Sequence, residues 1–415
     1  MNWRFLGARI VSLTLAVTVV RHFKIIVGML QVSEPYSDVP LKPVGRARLH
    51  IIVPIFGEWH LVPSSILHFT PHLHPDDTLT FVGSERDGSL PAMGDDPVVG
   101  AGTFLVAPAG RFNKGGQVNF AIEQLLDLVP PADRIDSVVV IYDSDSAPDP
   151  GSLGEFRTVA DQRPDASVFQ QHSRFRPDGD PGHSSVGLAG AARANRFVAA
   201  YERPRLRARS RSRLSQSVYA NVIAHGLGIR LSFLEKHPLP ESSPMEDLLY
   251  GLDLCGQGHE VVLLASLDTA LSPSSISEQF FQASRWFRGL MRVAAQAVPS
   301  ARHRQWRRLA IAVHAGWLAQ EWLLRAVAPF ALLWCCTVKA HRRAAAAITL
   351  QYGIEVVLAQ RALDPSSRRR DIARAVVAFP LAQVAFGAGA WHALCETRTG
   401  DNEEISRVTR KVVRR

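Results

Sequence analysis

An apolar run, Val138 to Tyr142, leads straight into Asp143-Ser144-Asp145. On an extended chain residues i and i+2 point the same way, so both carboxylates can converge on one hard cation. Such a cation takes its remaining ligands from water and phosphate oxygens, which makes this a candidate metal and phosphate site. An Asx turn closing a strand is spelled with the same letters, so the pair draws its meaning from its surroundings. A second acidic pair, Glu246-Asp247, opens an amphipathic segment with Leu248, Leu249, Leu252 and Leu254, where carboxylates also suit the positive end of a helix. Gln282, Arg285 and Trp286 follow in a segment that begins with Ser and Glu and carries apolar residues at helical spacing.

These residues need elements to place them. LHIIVPIFGEW (49–59) reads as a buried strand that ends in a turn at Gly57-Glu58, and Pro63 to Phe69 as a helix. A second strand lies within TLTFVGSERDG (78–88) and closes on Glu85, Arg86 and Asp87. A short strand, TFLVA (103–107), precedes Lys114, Asn119 and an amphipathic helix with Phe120, Ile122, Leu125, Leu126 and Val129. With the strand before Asp143 the order is β-α-β-β-α-β, which predicts an α/β sandwich with a mainly parallel sheet. Ligand sites in such sheets lie beyond the carboxyl ends of the strands, where Glu58, Glu85, Asp87, Asp143 and Asp145 stand. Further strands are expected at ASVFQQ (166–171) and EVVLLAS (260–266).

The chain of 415 residues holds long apolar segments after Leu309, which divides it into a catalytic part and a membrane part. Lys and Arg exceed Asp and Glu by 47 − 38 = 9. The Arg clusters at 202–213 and 368–370, and the tail KVVRR, lie beside apolar segments and suit anionic membrane lipids. With no zinc-finger, RNA-binding or helix-turn-helix pattern, nucleic acid is not an expected partner. Cys255, Cys335, Cys336 and Cys395 show no CxxC spacing and read as small buried hydrophobes. No G-x-S-x-G elbow supports a hydrolase.

The first 30 residues read as a signal anchor, an interfacial helix or two short pieces, because Arg21, His22 and Lys24 interrupt them. Residues 31–47 form a Pro-marked linker, 48–275 the catalytic domain, 276–300 an interfacial helix, 305–395 membrane helices and 396–415 a basic tail. The apolar stretches 309–338, 344–363 and 372–394 allow two or three crossings. Glu321 and Arg325, at i and i+4, suit an internal ion pair or a bend between two shorter helices.

PIFGEW, the acidic cluster 85–87, Lys114 with Asn119, Asp143-Ser144-Asp145, Met245-Glu246-Asp247 and Gln282-Ala283-Ser284-Arg285-Trp286 occur in that order. Over about residues 48–292 the ordered set resembles the membrane-associated family 2 glycosyltransferases, which include cellulose, chitin and hyaluronan synthases and ceramide glucosyltransferase. The resemblance implies a GT-A fold and inverting transfer of a sugar from a nucleotide-sugar donor, a UDP-sugar by expectation, to a lipid-linked or polysaccharide acceptor. It implies Asp143 on the nucleotide, Asp145 with Asp143 on Mg²⁺ or Mn²⁺, Glu58 with Glu85 or Asp87 on the nucleoside, and Lys114 near the phosphates or the base. Asp247, beside Glu246, matches the general base, and Gln282, Arg285 and Trp286 match the motif that closes over diphosphate and acceptor. It further implies a multi-pass membrane protein with its catalytic domain on the cytoplasmic face. Met245 stands where relatives carry Thr, the Ser-Glu-Arg-Asp spacing at 84–87 differs and the channel-forming helices are fewer, so one or a few additions are expected at least as much as a long threaded polymer. The alternative is a non-catalytic membrane protein that retains the fold.

Overall fold

Strands β1 (Arg48–Pro54), β2 (Thr78–Ser84), β3 (Thr103–Ala107), β4 (Ser137–Ile141), β5 (Ala147–Pro148), β6 (Val168–Pro177), β7 (Leu227–Arg230) and β8 (Val261–Ser272) form one sheet in the order β3-β2-β1-β4-β7-β6-β8-β5. The computed structural model describes residues 3–32, 46–87, 102–177, 184–203, 222–241, 245–300 and 305–396. Most of the expected linker, the Arg-rich stretch 204–213 and the basic tail from 397 lie outside the described residues.

The sheet is mixed where a mainly parallel one was expected. Strands β3, β2, β1 and β4 are parallel, but β7 runs against β4 and β6, and β5 runs against β8. The expected β-α-β-β-α-β order is present in the first half. Helix α2 (Val62–Phe69) follows β1, and α3 (Lys114–Leu128) joins β3 to β4. Apolar residues run continuously through β1 and β4 because both strands are buried on two faces. Leu49, Ile51 and Val53 pack with Phe69, Phe81 and Phe156, the last from α4 (Ser152–Gln162). Ile52 turns the other way, to Val82, Val139, Ile141 and the α3 residues Val118 and Ile122. Strand β7 was not expected. It has four residues, and its Gly228 lies so close to Phe156 that a Cβ would meet the ring at 2.5 Å.

A helical layer covers the far end of the sheet. Helices α5 (Ser185–Phe197), α6 (Leu231–Leu234), α7 (Glu246–Gln257), α8 (Ile276–Ser300), α9 (Gln305–Thr337), α10 (Arg342–Leu363) and α11 (Arg369–Glu396) complete the described chain with α1 (Trp3–Val32). Helix α1 is continuous; of the charges that interrupt its sequence Arg21 and His22 point inward, and Lys24 is exposed. Arg21 pairs with Glu321 at 2.7 Å and His22 Nδ1 with Glu355 at 2.6 Å, and Arg196 also reaches Glu355. Glu321 therefore serves both Arg21 of α1 and the neighbouring charge of Arg325, and α9 runs unbroken through both residues.

Glycines let α11 approach its neighbours. A Cβ on Gly387 would meet the Ala326 nitrogen at 2.1 Å, and one on Gly389 the Phe280 oxygen at 2.2 Å. Among the described residues one helix, α11, is long and apolar enough to cross a membrane, with half of its apolar window buried. Two or three crossings were expected, and α9 and α10 do not meet the same test. The layer nonetheless exposes large apolar side chains, among them Phe23 on α1, Val327, Phe330 and Trp334 on α9, Leu350 on α10 and Val377 on α11. Cys335 is buried and Cys336 half-buried, but Cys395 is exposed, unlike the buried thiol expected there.

Candidate active site

The strand ends and the helical layer enclose a cavity of about 470 Å³. Glu58, Lys114, Asp143, Asp145, Glu246, Asp247, Gln282, Arg285 and Trp286 all line it. These residues come from the β1 end, the start of α3, the β4 end, the start of α7 and the middle of α8.

Asp143 and Asp145 sit on a turn, where an extended chain had been expected. The Ser146 N–H donates to the Asp143 carbonyl at 3.0 Å, and the Asp143 N–H donates to the Ser146 hydroxyl at 3.1 Å. Asp145 Oδ2 accepts from the Leu271 N–H at 3.0 Å, which ties the turn to β8. The Ser144 hydroxyl donates to the Glu58 carboxylate and joins the turn to the β1 end. Both carboxylates face the cavity.

Lys114 opens α3, earlier than its apolar spacing suggested. Asn113 caps the helix by accepting from the Gly116 N–H at 2.7 Å. A cation at this end opposes the helix dipole. Burial also works against the Lys114 charge, but Asp143, Glu246 and Asp247 outweigh it and hold the ammonium above its ordinary range. Its ion pair is with Asp143.

Asp247 Oδ1 accepts from the Leu248 N–H at 2.7 Å and Oδ2 from the Ala224 N–H at 3.3 Å. Burial raises Asp247 above the usual carboxylate range, against the pull of Lys114 and these N–H groups. Glu246 is pushed up to about 8, by burial first and by Asp247 next. Burial and the Asp247 charge thus favour protonated Glu246 near neutrality, and the two backbone donors favour the charge on Asp247. Helix α8 starts from a capping box: the Ser275 hydroxyl accepts from the Glu278 N–H, and Glu278 accepts from the Ser275 N–H, each at 3.2 Å. This start fixes the rotation that turns Gln282, Arg285 and Trp286 to the cavity. Burial lowers the Arg285 pKa, and Glu246, Glu58 and Asp143 offset this only in part.

Two expected site residues stand apart. Asp87 is buried, and its Oδ2 accepts from the Gly57 N–H at 2.6 Å and Trp59 Nε1 at 3.0 Å, bracing the loop that presents Glu58. Glu85 is exposed and accepts from the Ala109 N–H at 3.0 Å. Neither lines the cavity.

The sequence reading missed His225, whose Nδ1 lies 2.7 Å from Asp268 Oδ2 at the cavity. Burial disfavours its charge, but Asp268 outweighs that and raises its pKa. The reading also missed Arg193 on the cavity wall. Among the described residues no group of three or more His, Cys, Asp or Glu side chains forms a closed metal cage. Asp143 and Asp145 still fit Mg²⁺ or Mn²⁺, since such ions bind through one or two carboxylates and take the rest of their shell from phosphates and water.

No sequence family and no curated protein matches the chain. Solved structures similar to it include the following two. The mannosyltransferase PcManGT from Pyrobaculum calidifontis, in complex with GDP-Man and Mn²⁺, is 15% identical, with TM-score 0.47, over 92% of this chain and 99% of that one. S. aureus TarS 1–349 is 12% identical, with TM-score 0.36, over 85% and 92%. At these scores the functional reading rests on the cavity itself.

Proposed function

We propose that this chain is an inverting glycosyltransferase of the family 2 type, moving a sugar from a nucleotide-sugar donor, a UDP-sugar by expectation, to a membrane-linked or polysaccharide acceptor. The observation that carries this reading is the convergence of Lys114, Asp143, Asp145, Asp247, Gln282 and Arg285, distant in sequence, on one cavity. Asp145 with Asp143 would hold Mg²⁺ or Mn²⁺, which neutralises charge on a diphosphate.

Asp247 takes the proton of the acceptor hydroxyl as its oxygen attacks the anomeric carbon, and the bond to the nucleoside diphosphate breaks on the opposite face. Arg285 and Lys114 meet the charge that develops on the leaving diphosphate. Glu246, protonated beside Asp247, keeps a second negative charge away from the donor. Glu58 faces the nucleoside, and Trp286 offers a flat apolar surface to the acceptor. Apolar side chains exposed on α1, α9, α10 and α11 support a helical layer in contact with lipid, and the family resemblance alone implies a catalytic domain on the cytoplasmic side. The test is nucleoside diphosphate release by the full chain in detergent, across a panel of nucleotide sugars, with Mn²⁺ and a membrane lipid extract. Metal-dependent release from one donor, abolished in Asp145→Ala, is expected; no release from any donor overturns the reading.

A further inference from the structure

The wall of the cavity built by α5, α9 and α11 holds two guanidinium groups that sugar transfer leaves unused. Arg193 on α5 is 5% exposed and Arg325 on α9 is 9% exposed. Both lie over the ring of Phe386 on α11, with Cζ at 3.9 and 5.1 Å from its centroid. Among the described residues Arg193 pairs with no carboxylate, and its Nε has no hydrogen-bond partner. Arg325 has Glu321 one turn away as its charge partner, a carboxylate whose Oε1 it shares with Arg21 at 2.7 Å and the Tyr201 hydroxyl at 3.1 Å, so Arg193 is the one of the two left without a counter-ion.

Burying a charge without a counter-ion is strongly unfavourable, and placing two like charges on one ring adds repulsion. Burial and the Arg325 charge together push Arg193 down to about 9, so it is still protonated at neutral pH. These arginines are distinct from the donor end. Arg285 faces Glu246, Glu58 and Asp143, whereas the charge that Arg193 faces is Arg325. The planar guanidinium fork matches phosphate oxygens two at a time. Beside the pair the cavity is lined by Leu290, Leu318 and Trp322, and on the outer face of α9 Leu324 and Val327 are exposed.

We propose that Arg193 and Arg325 bind the phosphate group of an amphiphilic acceptor, whose chain starts along Leu290, Leu318 and Trp322. This site names the acceptor class for the sugar-transfer reading and rests on it. The test measures the melting temperature of the full chain in neutral detergent with dodecyl phosphate, dodecanol or inorganic phosphate, and in parallel the binding of UDP and GDP.

Dodecyl phosphate is expected to raise the melting temperature by several degrees, and the other two probes to leave it unchanged. Arg193→Met should melt no lower than the parent without additive, because it removes one of two buried like charges. It should lose the response to dodecyl phosphate and keep nucleotide binding. Arg325→Met provides an independent second variant with the same expected loss. Equal protection by inorganic phosphate would reveal a free-anion site and overturn the proposal, as would a response that survives both substitutions. If nucleotide binding is absent while the dodecyl phosphate response and its loss in the variants persist, sugar transfer fails as the function and the phosphate site stands.

Discussion

The chemistry turns on which carboxylate of the Glu246-Asp247 pair carries the proton. The proposed transfer needs Asp247 ionised, and burial raises its pKa. Activity should therefore fall as pH drops, with the acid limb of kcat/KM above the ordinary carboxylate range. Glu246 has the opposite bearing on stability. Its pKa rises from 4.5 to about 8 on folding, so between those values the folded chain binds more protons than the unfolded one and stability declines as pH rises. Glu246→Gln should therefore melt higher than the parent at pH 8, by about 1–3 kcal/mol, and match it near pH 4. The acidic pairs were legible because they sit at a strand end and a helix start, where sequence places charge by local rules, and Gln282, Arg285 and Trp286 because they lie within a segment of helical apolar spacing. His225 and Arg193 were not. The partner of His225 lies 43 residues away, and Arg193 stands in a run of small residues to which no element was assigned from sequence.

At the level of elements, the loop after β1 and the crossing of α8 with α11 set the geometry of the site. Asp87 holds the Gly57 N–H and the Trp59 indole, so Asp87→Asn should loosen Glu58 and raise the donor KM by about tenfold with a smaller change in kcat. Gly389→Val would force a side chain against the Phe280 carbonyl and the Ser284 nitrogen. It should lower stability by about 2–3 kcal/mol in thermal unfolding, since the backbones have no room to part. The parallel half of the sheet was legible from continuous apolar runs in β1 and β4. Strand β7 was not, because four residues that include Gly228 carry neither alternation nor a turn signal. Helix α1 was equally hard to read, since the carboxylate that pairs with Arg21 lies 300 residues away.

Taken whole, the molecule joins the cleft that carries the charged candidate site to a helical layer whose outer face is apolar. Phe23, Val327, Phe330, Trp334, Leu350 and Val377 are exposed there, a surface that water disfavours and lipid accepts. The chain should therefore stay with vesicles after a high-salt wash that strips proteins bound by charge alone, and leave them in detergent. The apolar stretches were visible in sequence, but which faces point outward depends on packing among α1, α9, α10 and α11. The central claim is that one end of the cleft holds the donor while Asp247 activates the acceptor. It is tested most directly by measuring nucleoside diphosphate binding and single-turnover sugar transfer side by side in Asp247→Asn. Binding close to that of the parent with transfer reduced by a factor of about 10²–10⁴ is predicted; transfer at the parental rate would contradict the account.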